Sequence, residues 1–277
     1  MRLRNLIFLG CLGAMLVTGY VFQGSANERA NRLINKLETG QPVIGVLAGA
    51  MAAPRIAKVL GTSDVDFILA DLEHEVHDYQ TLRNFVLGLE DFSQRFRAEA
   101  RPAPSVLVKL GHRAGWDARY EVAEVLKIAP AAGICVPFVE SRADLEKVIS
   151  AVRHVETTAL AGMNVPEEIR EPWPLDPKGE LFVVAMIESE EGVRHAREIV
   201  ETPGVGAIWA VHVSDEALAS ILKMCKETGV KVLIGASPED IKSKVEAGYQ
   251  MLIVGWDFQL LEKELKETVE KMRSVLN

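Results

Sequence analysis

The sequence predicts an α/β fold, a single (β/α)8 TIM barrel with an extra helix at each end. Three observations lead there. Short apolar, β-branched runs alternate with helix-periodic segments from Val43 to the C-terminus, the signature of parallel βαβ units. The runs are apolar at successive positions, as strands covered on both faces require. There are eight of them, the number that closes a barrel, and 277 residues is one barrel's length once a leader is set aside.

The N-terminus reads as that leader. Arg2 and Arg4 form a basic start, Leu6 to Phe22 is an uncharged apolar run, and Gly24-Ser25-Ala26 is a small-residue cleavage site. Residues 1–26 are therefore expected to be a signal peptide. The alternative is an uncleaved membrane anchor, since the run is at the low end of what spans a bilayer. Leu9-Gly10-Cys11 is a partial lipobox. In each case the barrel, residues 27–277, is expected to be exported, and the membrane is a partner only through an uncleaved leader.

Asn27 to Leu37 has apolar positions at helical spacing and stops at Gly40. The eight expected strands are Val43 to Leu47, Asp66 to Asp71, Val106 to Leu110, Gly133 to Pro137, Phe182 to Glu188, Ala207 to Val211, Lys231 to Gly235 and Met251 to Gly255. Between them the helical period of apolar residues predicts Pro54 to Leu60, Tyr79 to Leu89, Ala118 to Ile128, Arg142 to Val152, Glu190 to Val200, Glu216 to Thr228 and Pro238 to Ala247. A last amphipathic helix is expected from Leu260 to Val275. Asp91 to Pro104 and the proline-rich Glu156 to Lys178 fit neither pattern and are expected to be excursions. A doubly wound sheet is the competing architecture, but Gly45-Val46-Leu47-Ala48-Gly49 lacks its glycine-rich phosphate turn.

Composition narrows the function. Lys and Arg total 31 against 39 Asp and Glu, a net charge of −8, and loss of Arg2 and Arg4 makes the remainder more acidic. A nucleic-acid partner is not expected on that balance. Three cysteines, Cys11, Cys135 and Cys225, lack ligand spacing, so neither a disulfide framework nor a cysteine zinc site is expected.

Barrel chemistry collects at the C-terminal ends of strands. After the second run come Asp71, Glu73, His74, Glu75, His77 and Asp78, the densest group of ionisable residues in the chain. Asp78 is expected to cap the following helix, while the apolar run delivers Asp71, Glu73 and His74 to the mouth. Lys109 ends the third run, as partner of a carboxylate or holder of an anionic substrate. Glu188 ends the fifth, where a buried carboxylate needs an ion-pair partner or a metal. His112, His154 and His195 read as surface or helix-face residues, and His74 with His77 is a weak zinc pair without its helix context.

Asp71-Leu72-Glu73-His74 with Asp78 and Thr81, Gly133 to Pro137, Met186-Ile187-Glu188-Ser189-Glu190-Glu191-Gly192-Val193 and Val254-Gly255-Trp256-Asp257, in that order, resemble the HpcH/HpaI aldolase/citrate lyase family of metal-dependent (class II) pyruvate aldolases. The resemblance spans about Asn31 to the C-terminus. It implies a homo-oligomer, often a hexamer, that cleaves or forms 4-hydroxy-2-oxo acids through a pyruvate enolate held on Mg²⁺, Mn²⁺ or Co²⁺. It further implies Glu188 as one metal ligand, His74 as the residue that with a water acts as base toward the 4-hydroxyl, and Asp71 and Glu73 as its neighbours. Lys109 stands where the family carries an enolate-steadying arginine. The second metal carboxylate falls on Ser214 in an ungapped match and on Asp215 after a one-residue shift, and Glu75 replaces a glycine. The resemblance thus makes the chain an aldehyde-lyase with a small oxo-acid substrate. Two other readings stand beside it: an exported non-catalytic homologue that binds a small carboxylate or a protein partner, and a Schiff-base aldolase using Lys109.

Overall fold

The computed structural model describes residues 29, 31–49, 53–74, 78–89, 103–114, 116–128, 131–153, 155 and 171–276. The expected leader with Cys11, the residues Glu75, His77 and His154, and most of both expected excursions lie outside them.

The strands are β1 (Val43–Ala48), β2 (Phe67–Asp71), β3 (Ser105–Lys109), β4 (Gly133–Val136), a two-residue β5 (Pro172–Trp173), β6 (Leu181–Ile187), β7 (Ala207–Ala210), β8 (Lys231–Gly235) and β9 (Met251–Trp256). Apart from β5, each pairs in parallel with the next around a ring, with β4 joined to β6 and β9 to β1. The ring is the expected closed eight-stranded barrel. β5 is an added edge beside the start of β6, in the second expected excursion.

The helices are α1 (Arg32–Glu38), α2 (Pro54–Thr62), α3 (Tyr79–Leu89), α4 (Arg119–Ile128), α5 (Arg142–Arg153), α6 (Glu190–Arg194), α7 (Ala196–Val200), α8 (Asp215–Thr228), α9 (Ile241–Ala247) and α10 (Asp257–Leu276). One expected helix, Glu190 to Val200, is two: the chain turns at His195, whose Nδ1 lies 2.9 Å from the Glu140 carbonyl oxygen. That bond draws the residue out of the helical path.

Alternation along the strands divides the core. Val46, Ile68, Val106, Ile134, Val183 and Ile208 face outward and pack under the helices. Leu69, Leu107, Cys135, Val184, Met186 and Leu233 face inward and fill the barrel. Phe67 and Phe182 fill its lower part without solvent exposure. Gly45 makes room for the first, since a Cβ there would lie 2.3 Å from the Phe67 ring. Burying each phenyl side chain contributes about 2–3 kcal/mol.

α1 closes the bottom of the barrel. Leu33, Ile34 and Leu37 enter the inner core, and Asn31 caps the helix by accepting the Leu33 N–H at 3.1 Å. Asp66, just before β2, anchors α1 through Arg32 at 3.0 Å and Lys36 at 2.5 Å. With the bottom plugged, only the C-terminal end of the barrel is left for a site.

Candidate active site

The two-residue period that turns Phe67 and Leu69 inward also turns Asp71 inward, one rung higher, and on β3 it does the same for Lys109 after Leu107. Asp71 and Lys109 are direct cross-strand partners, and Lys109 is in turn the partner of Cys135 on β4. On β6, Phe182, Val184 and Met186 set the same phase for Glu188. Three charged side chains are thereby raised on an apolar floor.

The chain after β2 folds back over this floor. One Asp71 carboxylate oxygen, Oδ1, accepts the backbone N–H of Glu73 at 2.7 Å and of His74 at 3.0 Å, a tight aspartate turn. The other, Oδ2, lies 2.8 Å from His74 Nδ1 and 3.5 Å from Lys109 Nζ. Lys109 Nζ is 2.5 Å from Glu73 Oε2. The Asp71 and Lys109 side chains are almost wholly buried, whereas that of His74 is 57% exposed. Asp71, Glu73, His74 and Lys109, all expected at the mouth, form one cluster there.

Burial by itself would pull the Lys109 ammonium down, but the hydrogen bond to Glu73 and the charges of Asp71 and Glu73 outweigh it and hold it above the ordinary lysine value. Pairing with two carboxylates favours its charged form and disfavours the free amine that a Schiff-base reading needs. Burial pushes the Glu188 carboxyl above the ordinary glutamate range, and Glu73 adds to this. The Phe138 N–H, which donates to Glu188 at 3.2 Å, and the Lys109 charge pull the other way. Among the described residues no cation lies within ion-pair distance of Glu188. Its expected partner Lys109 goes to Asp71 and Glu73 instead.

Ser214 is the N-cap of α8, its hydroxyl accepting the Ala217 N–H at 3.2 Å, and Asp215 is the first residue of that helix and exposed. Asp78 caps α3 as expected, through the Gln80 and Thr81 N–H groups. His112 pairs with Glu121 at 3.0 Å in the loop after β3. Cys135 lies inside the barrel and Cys225 on the inner face of α8, outside the barrel; both are buried and free. Two contacts were not read from the sequence. Phe138, whose N–H holds Glu188, adopts a left-handed φ of 51° with Arg113 stacked on its ring at 3.8 Å. Trp256, at the end of β9, meets the His74 ring edge-on, centroids 5.8 Å apart.

Fold and site together define a (β/α)8-barrel protein with a charged, partly buried mouth built on β2, β3 and β6. The sequence pattern of the HpcH/HpaI aldolase/citrate lyase family matches residues 48–263, and the chain belongs to that family of aldolases and lyases. It is 22% identical over 272 residues to a hydroxypyruvate/pyruvate aldolase of Delftia acidovorans, covering 88% of this chain and 93% of that protein. Among solved structures it is similar to the citrate synthase SbnG, with a TM-score of 0.71, 20% identity and 89% and 98% of the two chains covered. It is also similar to an HpcH/HpaI aldolase/citrate lyase family protein of Burkholderia cenocepacia, with a TM-score of 0.69, 20% identity and 88% and 99% covered.

The family is typically dependent on a divalent metal. No group of three or more His, Cys, Asp and Glu converges as a metal site among the described residues. A hard cation such as Mg²⁺ needs only one or two carboxylates, its other ligands being water and substrate. Glu188 fits that role, as a half-buried carboxylate with no paired cation among the described residues. Ser214 fits it poorly, because its hydroxyl caps α8, which leaves Asp215 as the carboxylate of that loop.

Proposed function

We propose that the chain is a carbon–carbon lyase that cleaves and forms small 4-hydroxy-2-oxo acids through a pyruvate enolate at the barrel mouth. The convergence of Asp71, Glu73, His74 and Lys109 on one side of a mouth that holds Glu188 on another carries this reading. With Nδ1–H donating to Asp71, His74 keeps Nε2 as an acceptor. In the cleavage direction the 4-hydroxyl proton moves toward Nε2, directly or through a water, C4 becomes the aldehyde carbon and the C3–C4 bond breaks. Its electron pair passes into the enolate, which is then protonated at C3 to give pyruvate. Asp71 stabilises the imidazolium as it forms. Lys109 places a fixed positive charge beside the anionic substrate, and Glu73 holds that ammonium in place. A divalent cation, Mg²⁺, Mn²⁺ or Co²⁺, held by Glu188 with Asp215 would supply Lewis-acid stabilisation of the enolate oxygen.

The test is deuterium exchange at the methyl group of pyruvate in D₂O, which needs no knowledge of the natural aldehyde. Wild-type protein with one of the three ions is expected to exchange it, a chelator to stop the exchange, and Glu188→Ala to lose it. Absence of exchange by folded wild-type protein with every one of these ions overturns the proposal.

The unit is proposed to be an oligomer of identical chains. α10 is a 20-residue helix whose only buried residue is Asp257. Phe258, Leu261, Leu265, Val269 and Met272 recur on it at helical spacing, all exposed. On the barrel, Ile44 of β1 and Val254 of β9 are exposed where a barrel helix ordinarily packs. An apolar helix face beside an uncovered apolar seam supports a second copy of the chain as occupant. The leader reading adds that the barrel works outside the cytoplasm. No helix among the described residues is long and apolar enough to cross a membrane.

A further inference from the structure

We infer that Trp256 is the positioning residue that fixes the imidazole plane and tautomer of His74, an inference that rests on the proposed role of His74 as base. His74 is the most exposed member of the mouth cluster, and its ring has two neighbours that restrain it. On one side Asp71 Oδ2 lies 2.8 Å from Nδ1. On another the Trp256 ring meets it at 5.8 Å with the planes at 83°. Trp256 is itself braced: it packs partly on the inner barrel core, and Phe258 lies against it at 5.7 Å. It reaches His74 from β9 across the end of β1, where its register partner is Leu47.

The need for such a wall follows from the hydrogen-bond choices open to His74. Lys109 Nζ lies 3.5 Å from the same Nδ1 that approaches Asp71. If Nδ1 were the bare nitrogen, its lone pair would face the Asp71 carboxylate at 2.8 Å, two acceptors in repulsion. Holding the ring against Asp71 puts the proton on Nδ1 and leaves Nε2 as the basic atom. A ring free to rotate could point Nδ1 at solvent and place the proton on either nitrogen. An edge-on aromatic contact restricts that rotation while adding no competing acceptor. A residue with an acceptor at position 256 would instead offer the Nδ1–H a second partner.

Nitrogen-15 NMR of the imidazole in full-length protein, with His74 assigned by loss of its signals in His74→Gln and the ring in its neutral form, tests the proposal without substrate. Wild type is expected to show one tautomer, proton on Nδ1. Trp256→Ala is expected to show averaging between the two tautomers, and Trp256→Phe to restore the single form. Should Trp256→Ala fail to fold, Trp256→Leu, which keeps apolar bulk without an aromatic ring, is expected to average in the same way. With 4-hydroxy-2-oxopentanoate as probe, Trp256→Ala should lower kcat for cleavage roughly tenfold or more with a smaller change in KM, a misplacement effect. A single Nδ1–H tautomer persisting in the alanine or leucine variant overturns the inference. Wild type that lacks cleavage and methyl exchange while the tautomer responds to Trp256 overturns the proposed activity and leaves the positioning role standing.

Discussion

Asp71 and Lys109 are register partners at the top rung of β2 and β3, and their charged atoms lie 3.5 Å apart with both side chains almost wholly buried. Neither residue can be removed singly without leaving the other's charge in the barrel, while Asp71 also accepts two backbone N–H groups that shape the turn to His74. The relationship joins the stability of the barrel to the chemistry of its mouth.

Lys109→Met is therefore expected to destabilise the protein by about 3–5 kcal/mol, the cost of stranding a buried charge. Asp71→Asn combined with Lys109→Met should recover a large part of that loss. Urea denaturation of the single and double variants measures the coupling, and strictly additive losses would show that the pair does not interact. Because Lys109 is held above its ordinary value, its contribution is fully present below the unfolded-state pKa. It disappears as pH rises through the higher folded-state value. Wild type should accordingly lose stability on the alkaline side more steeply than Lys109→Met. Reduction with borohydride in the presence of pyruvate at neutral pH should leave Lys109 unmodified, which mass spectrometry of the digested protein checks.

Glu188 carries the opposite sign. Burial raises its carboxyl pKa in the folded state, so the folded protein holds the proton more tightly than the unfolded chain. Stability then falls as pH rises from the unfolded-state value through the folded one. Glu188→Gln keeps the shape and an acceptor for the Phe138 N–H while removing the desolvated charge. It is expected to raise the melting temperature at neutral pH and to abolish metal-dependent methyl exchange. A lower melting temperature would mean that the charge has a compensating partner in the free protein.

Ser214 and Asp215 are separated by the cap of α8. Ser214→Ala should cost about 1 kcal/mol through the lost N-cap and leave most methyl exchange intact. Asp215→Ala should barely change stability, since the side chain is exposed, and should remove exchange if Asp215 is the second ligand. Exchange and thermal denaturation measured together on both variants separate the roles, and the reverse pattern would return the ligand position to Ser214.

Leu265→Glu on α10 should dissociate the oligomer without unfolding the barrel, because the residue is 55% exposed in the single chain. Light scattering after gel filtration reads the mass and circular dichroism the fold. A wild-type monomer would end the proposal that a second copy covers this helix.

All eight barrel strands were legible because a strand buried on both faces must be an apolar run, and a run has only one way to lie between helices. The same period told which polar residues end those runs, so Asp71, Lys109 and Glu188 could be read as mouth residues from sequence, and the family resemblance was read from the order of the segments around Asp71, Gly133, Glu188 and Trp256. Pairings were a different matter. Nothing local assigns Lys109 to Asp71 and Glu73 in place of Glu188, since the choice depends on strand register and on a turn that folds Glu73 back over β3. Trp256 reaches His74 across a neighbouring strand, a contact between residues far apart in the chain that no periodicity encodes. The break at His195 was hidden for the same reason, its hydrogen-bond acceptor being the distant Glu140 carbonyl. By itself the sequence determined the architecture and which residues reach the mouth, because periodicity and burial are local properties. Only the tertiary structure decided which of those charges neutralise one another and which, as at Glu188, find no cation within ion-pair distance among the described residues, because electrostatic pairing is settled by distances that exist only once the barrel has closed.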